Sequence, residues 1–331
     1  MSGTNIPVDS THLSDQASAE MIEEYGGAVD SQFHRKSIMR NFLKLKMLTG
    51  TDTAIKRRTG RTSLTTVTPG VRPAATKTPF GRTAVSVDTV ILARDNRSLL
   101  NEFQTDFNAR KDLGEDHGKE LAKLFDESLL IAAVKAASKT LTTAEQLNGA
   151  FGSGGSSSSV RPMDSANDQF VSAELYEEIS QGIVTMDTRD IDPEECVVFV
   201  NPTQHEVLLG NDKLIDKDFS TDNGDFANGT LKTILGVPII STNRLPQSGA
   251  AVTGHALSTS ANSNFFDTTL IEERTVALIM HPKSVFAAET IPLTSKVYYD
   301  DVELQWFIDS YQAYGAAVDR PDCSIVIHSV V

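Results

Sequence analysis

Residues 196–209 read CVVFVNPTQHEVLL. The opening cysteine and run of β-branched and aromatic residues have the composition of a short strand buried on both faces. Asn201-Pro202 ends it, because proline brings no N–H to a sheet ladder. The same proline suits the first turn of a helix, so PTQHEVLLG restarts as one. A buried strand turning directly into a helix marks an α/β layer, and the flanking sequence extends it. DQFVSAELYEEISQGIVTM (168–186) reads as a helix before it. LKTILGVPIISTNRLP (231–246) reads as a strand pair around Gly-Val-Pro. RTVALIMHP (274–282) reads as another buried strand, preceded by the Asn/Ser-rich loop STSANSN (258–264). The stretch TSKVYYDDVELQWFIDSYQAYGAAVDRPDCSIVIH (294–328) reads as a long strand, a turn region and a closing strand.

Upstream of this layer, AFGSGGSSSSV (150–160) has the composition of a flexible loop. Ser98–Lys139 is the longest helical region. Leu99, Leu100, Phe103 and Phe107 form one apolar stripe. After a break near Leu113-Gly114, Leu121, Leu124, Phe125, Leu129, Ala132, Ala133 and Ala136 suit one buried face, while Gly118 argues against an unbroken rod. Before it, RTSLTTVT (61–68) and RTAVSVDTVIL (82–92) flank the turn-rich PGVRPAATKTPFG and read as a long β-hairpin. A two-stranded ribbon is marginal in water, so this one draws stability from outside itself. From Glu20 to Met47 a helical pattern is interrupted by Gly26-Gly27. Phe33, Ile38, Phe42, Leu45 and Leu48 are spaced too irregularly for an amphipathic helix, so the segment reads as an extended arm with occasional helical turns. The first twenty residues read as a loose, polar, acidic tail.

Charge is divided sharply along the chain. Ser31–Arg94 holds thirteen Lys and Arg against Asp52 and Asp88, a balance of +11. The remainder carries seventeen basic and forty-two acidic residues, or -25, within a net charge of -14. Basic residues in the arm and hairpin would supply phosphate contacts to a nucleic acid. Aromatic residues are sparse there (Phe33, Phe42, Phe80), which argues against base stacking, and the acidic remainder would repel DNA. The same split suits a different arrangement, in which the basic arm and hairpin lie on the acidic surface of a second copy. A contact between two different patches is heterologous and repeats into rings or shells.

The sequence also excludes several classes of function. No apolar run of eighteen residues is present, and the N-terminus lacks the basic start and apolar core of a secretion signal. Cys196 and Cys323 lie beside β-branched runs, which makes them buried structural thiols of a protein made in a reducing cytoplasm. GSGGSSSSV has glycines but no phosphate-loop lysine. No HExxH, close-spaced Cys/His cluster or G-x-S-x-G elbow occurs, and His34, His117, His205 and His281 are scattered. DKDFSTDNGDF (216–226) fails the calcium-loop register from either Asp216 or Asp218, and DTRDIDPEE (187–195) has the density of a solvated turn. No catalytic, cofactor-binding or metal-binding residue is assigned.

Several segments, taken in order, resemble the major capsid proteins of tailed bacteriophages, nearest to the podoviruses of the T-seven group. They are EYGGAVDSQF, the hairpin containing TPFGRT, VVFVNPTQHEVLL, LGVPIISTNRLP, ALIMHPKSV and YQAYGAAVDRPD. The resemblance spans roughly residues 20–331. It implies an α+β chain of the Hong Kong 97-like fold, with an N-terminal arm (1–50), an extended loop (51–92) and a peripheral domain carrying a spine helix (93–140). An axial α/β domain (141–285), a peripheral long strand (286–312) and a return to the axial domain (313–331) complete it. It also implies a non-enzymatic subunit that forms hexamers and pentamers around double-stranded DNA. Its partners would be further copies of itself, a scaffolding protein and a portal, with no membrane, and it would assemble in the bacterial host's cytoplasm into a virion. Some relatives crosslink a loop lysine to a neighbour's asparagine. Lys77 lies in the loop, but no matching asparagine or assisting carboxylate is found, so no such chemistry is assigned. Arg35, Lys36, Arg57, Arg58, Arg61, Arg72, Lys77 and Arg82 are the candidate contacts between copies. The alternatives are an encapsulin-like nanocompartment shell and a nucleic-acid-binding protein with a basic arm.

Overall fold

The computed structural model describes residues 25–59, 65–72, 80–98, 109–139, 159–215, 224–225 and 228–330. In chain order its helices are α1 (25–36), α2 (Met39–Phe42), α3 (Ala109–Ser138), α4 (Ser172–Thr188), α5 (Pro202–Leu209) and α6 (Asp212–Ile215). The strands begin with β1 (Lys46–Met47), β2 (Thr53–Thr59), β3 (Phe80–Ser86), β4 (Ile91–Ser98), β5 (Val160–Pro162), β6 (Val197–Val200) and β7 (Gly224–Asp225). They continue with β8 (Thr230–Leu231), β9 (Thr233–Ile234), β10 (Val237–Ser241), β11 (Thr275–Met280), β12 (Val285–Asp300), β13 (Gln305–Val318) and β14 (Ser324–His328). The chain divides into two compact units, one from residues 1–38, 89–125 and 290–314, the other from 39–88, 126–289 and 315–331.

The first unit is built on the ribbon of β12 and β13, with β4 added antiparallel along β13 in the register Ile308 to Asp95. One face of the ribbon presents Val297 and Ile308, with Leu293 and Trp306, to Tyr25 and Val29 of α1 and Leu113 of α3. Tyr25, Val29 and Phe33 stand four residues apart and are all buried, so α1 has the apolar stripe a helix needs. The expected extended arm is therefore a helix over 25–36. Its stability comes from the partner surface. A Cβ at Gly114 would lie 2.9 Å from the Tyr25 ring, and one at Gly118 would lie 2.6 Å from the Val29 carbonyl oxygen. These glycines let α1 approach the α3 backbone, and α3 runs unbroken from Ala109 to Ser138 where the sequence suggested a break. Tyr25 bonds His117 Nδ1 at 2.8 Å and Ser310 Oγ at 2.5 Å, and His117 Nε2 meets Asp95 at 3.0 Å. Burial pushes the Tyr25 hydroxyl up to about 12, so it stays a neutral hydrogen-bonding group. The stripe expected over Leu99–Phe107 lies outside the described residues.

The second unit centres on a six-stranded sheet in the order β5-β14-β11-β6-β10-β9. β6 is buried at all four positions, paired parallel to β10 and antiparallel to β11, as its continuous apolar run requires. Leu175, Ile179, Ile183 and Met186 of α4 fall on one helical face and pack against this sheet's core. The latter part of α3 is buried nearly all round, in keeping with its run LLIAAV. Cys196 and Cys323 are free and buried, and burial raises both thiols to about 12.

Two strand assignments change. The hairpin pairs Thr53–Thr59 with Phe80–Ser86, so its first strand is the basic TAIKRRT; 65–68 is irregular and 61–64 lies outside the described residues. RTAVSVDTVIL is divided between β3 and β4. The single long strand expected after Thr294 is two strands, β12 of sixteen residues and β13 of fourteen, turning at residues 301–304. Most of DKDFSTDNGDF and of the Gly/Ser loop 150–160 lies outside the described residues.

Candidate inter-subunit interface

The β2–β3 ribbon has two unlike faces, because side chains alternate along each strand. On the inner face Ala54 and Val85 are directly opposite one another and join Leu48, Phe286 and Ala288 in a small core. Next along that face come Lys56 and Thr83. Lys56 Nζ reaches Asp319 at 2.5 Å and lies over the Phe286 ring at 5.6 Å, while Asp319 itself is only 1% exposed. A Cβ at Gly315 would sit 2.5 Å from the Ser86 carbonyl oxygen, so glycine there allows β3 to close on β13. The hairpin thus receives outside support from its own chain, through one apolar cluster and one buried carboxylate.

The outer face carries Ile55 opposite Ala84 and Arg57 opposite Arg82, all exposed. Cross-strand neighbours have Cβ atoms about 5 Å apart, where like charges repel. Among the described residues neither arginine has an ion pair. The ribbon therefore holds two cations side by side in a geometry that favours a shared anion. Between the two strands in sequence, the segment 65–72 exposes Val67 and Val71 at 69% and 63%, together with Arg72.

The other expected contacts scatter. Arg35 and Lys36 are exposed at the end of α1. Arg58 is placed in β2 by its backbone, and Arg61 and Lys77 lie outside the described residues. Three further basic residues of the same window bind carboxylates later in the chain. Besides Lys56, Arg40 meets Glu289 at 2.8 Å, and Arg94 makes a two-pronged contact of 2.7 Å on each oxygen of Asp309. Glu289 and Asp309 are buried, so part of the charge division is resolved within each unit.

A second exposed feature was not legible in the sequence. The β12–β13 turn reads Asp300-Asp301-Val302-Glu303-Leu304, with Val302 90% exposed and Leu304 57% exposed. Asp300 Oδ1 accepts a 2.8 Å bond from Val302 N, and the Gln305 amide donates to Glu303, which fixes the turn. The acidic segment 187–195 is only in part the solvated turn expected: residues 187–188 close α4 and Arg189 and Ile191 are buried, while Asp192 caps Glu194 N and Glu195 bonds His281. His281 Nδ1 accepts from Lys283 N, so Nε2 carries the proton donated to Glu195. Among the described residues no three His, Cys, Asp or Glu side chains converge as a metal site would need.

The β12–β13 ribbon with β4 alongside it and α1 on one face in the first unit, and the six-stranded mixed sheet covered by α4 together with the basic β2–β3 ribbon in the second, make a fold of the Hong Kong 97-like kind. Solved structures agree over most of the chain. The mature capsid of bacteriophage PhiM1 superposes with a TM-score of 0.74 at 23% identity, covering 89% of this chain and 87% of that one. The capsid of cyanophage P-SCSP1u gives 0.75 at 17% identity, with 89% and 88% covered. The structure from Mycobacterium phage Che8 gives 0.59 at 16%, with 88% and 90% covered. No protein-family model matches the chain, and no curated protein matches its sequence significantly.

Proposed function

We propose that this chain is a shell subunit, the major capsid protein of a tailed bacteriophage. Its work is structural rather than catalytic: copies associate into hexamers and pentamers that close an icosahedral shell around double-stranded DNA. Assembly takes place in the bacterial cytoplasm around a scaffolding protein, with a portal at one vertex, and the product is the virion head. The fold likeness to phage capsids over nearly nine-tenths of the chain carries this reading. The exposed Arg57/Arg82 pair supports it locally, because two like charges side by side on the outer face of the ribbon suit an anionic partner better than the subunit that bears them.

The test is the state of the purified protein, by size exclusion followed by electron microscopy. Closed hollow particles that protect nucleic acid from nuclease support the capsid. Closed particles that instead retain a cargo protein would turn the reading to a nanocompartment, and a monomer that binds DNA with a steep salt slope would overturn the shell altogether.

A further inference from the structure

Seven carboxylates are buried among the described residues, and six of them face a lysine or arginine. Asp126 meets Arg244, Glu272 meets Lys135 at 3.8 Å, and Asp322 meets Arg320 at 2.6 Å. Glu289, Asp309 and Asp319 meet Arg40, Arg94 and Lys56. Glu273 is the exception: it is 5% exposed and has no ion pair among the described residues. Its Oε2 accepts a 2.8 Å bond from Ser248 N and its Oε1 accepts from the Thr268 hydroxyl, so neutral donors hold it in place. A carboxylate taken out of water is costly without a counter-charge.

Glu273 lines a cleft of about 470 Å³ within the second unit, between α3, the start of α5 and the loop that joins β10 to β11. The walls are apolar at Ile131, Leu245, Pro246, Val252 and Phe266 and acidic at Glu127 and Glu273, and no lysine or arginine lines them. His255, also in the wall, adds no charge at neutral pH, because burial holds it below its ordinary value and its Nδ1 accepts from Leu257 N at 3.2 Å. We infer that this cleft binds an organic cation on an aliphatic stem, the chemistry of an arginine or lysine side chain. The stem lies along the apolar walls, as the methylenes of basic side chains do on apolar surfaces, and the head supplies the charge that Glu273 lacks. The site needs only the second unit and is independent of whether the chain forms a shell. Such a cation comes either from a basic residue of another polypeptide or from a free alkylated amine or guanidine.

Equilibrium dialysis of the full-length chain tests the site, with N-acetylarginine amide as the probe and N-acetylnorleucine amide as its uncharged counterpart. The arginine probe should bind saturably, weaken as salt rises, and bind about tenfold or more tightly than the norleucine probe. Butylguanidinium keeps the head and stem without the peptide groups and separates the two sources. Equal binding supports a free cation as the ligand, and weaker binding supports a residue of a polypeptide. E273Q keeps an acceptor for Ser248 N but removes the charge, and should weaken the arginine probe by about tenfold or more. V252W fills the cleft from a wall residue that is 40% exposed, leaves Glu273 unaltered, and should weaken the probe likewise. Circular dichroism of each variant separates lost binding from lost folding. No saturable binding, equal binding of the norleucine probe, or undiminished binding by either folded variant would overturn the site, and none of these bears on particle formation.

Discussion

At the residue scale, the clearest dependence is on two glycines inside a helix. Gly118 sits in α3 where a side chain would collide with the α1 backbone at Val29. Alanine is intrinsically better than glycine within a helix by about 1 kcal/mol, so Gly118→Ala would ordinarily stabilise. Here the overpacking dominates, and we expect a net loss of about 1–3 kcal/mol, read as a lower denaturation midpoint at unchanged m-value. Acid sensitivity is set at the same scale. Burial holds His205, His255, His281 and His328 below their ordinary value of 6.5, so the unfolded chain binds protons that the folded chain does not. Stability from these groups is therefore complete above about pH 6.5 and falls as the pH drops below it. A denaturant midpoint that stays constant between pH 7 and 5 would contradict this. The cysteines make a third check. With both thiols raised to about 12 by burial, native protein should resist alkylation at pH 8 and label fully once unfolded.

At the element scale, the basic ribbon is the feature on which the account turns. Lys56→Met removes the cation that faces the buried Asp319 carboxylate, which keeps its Thr83 hydroxyl bond. We expect a loss of about 1–3 kcal/mol, with proteolysis of the ribbon rising faster than global unfolding. Deleting residues 60–79 with a short turn in their place keeps β2 and β3 paired, and should yield a soluble subunit that assembles poorly. The sequence showed this element only in part. β6, α5, α4 and β11 were readable because local composition dictates them: an unbroken apolar run, a proline at a helix start, an amphipathic stripe. The first ribbon strand was not, because Lys56-Arg57-Arg58 looks like a solvated arm until Asp319, 263 residues on, is seen to receive Lys56. Helix α1 was missed for a related reason, since the glycines that allow it lie in α3. The β12–β13 turn was hidden because Asp-Asp-Val-Glu-Leu has neither glycine nor proline. Leu304 takes the left-handed conformation, at φ 51°, which a branched side chain rarely adopts.

At the scale of the whole molecule, the division of charge between +11 and -25 has two explanations acting together. Part is resolved within each unit, where Arg40, Lys56 and Arg94 each meet a buried carboxylate. The exposed remainder, above all Arg57 and Arg82, is arranged for contacts between copies. Contacts of that exposed kind are screened over about 8 Å at physiological ionic strength, so assembly should weaken as salt rises while the folding of the separate subunit should not. The most direct test of the central claim is the mass and shape of the purified protein, by sedimentation and electron microscopy across a range of salt and concentration. The account predicts closed hollow particles tens of nanometres across (about the scale many heterologous contacts close into), in equilibrium with subunits or small rings as salt rises. A compact monomer under every condition, binding DNA through its basic ribbon, would contradict it.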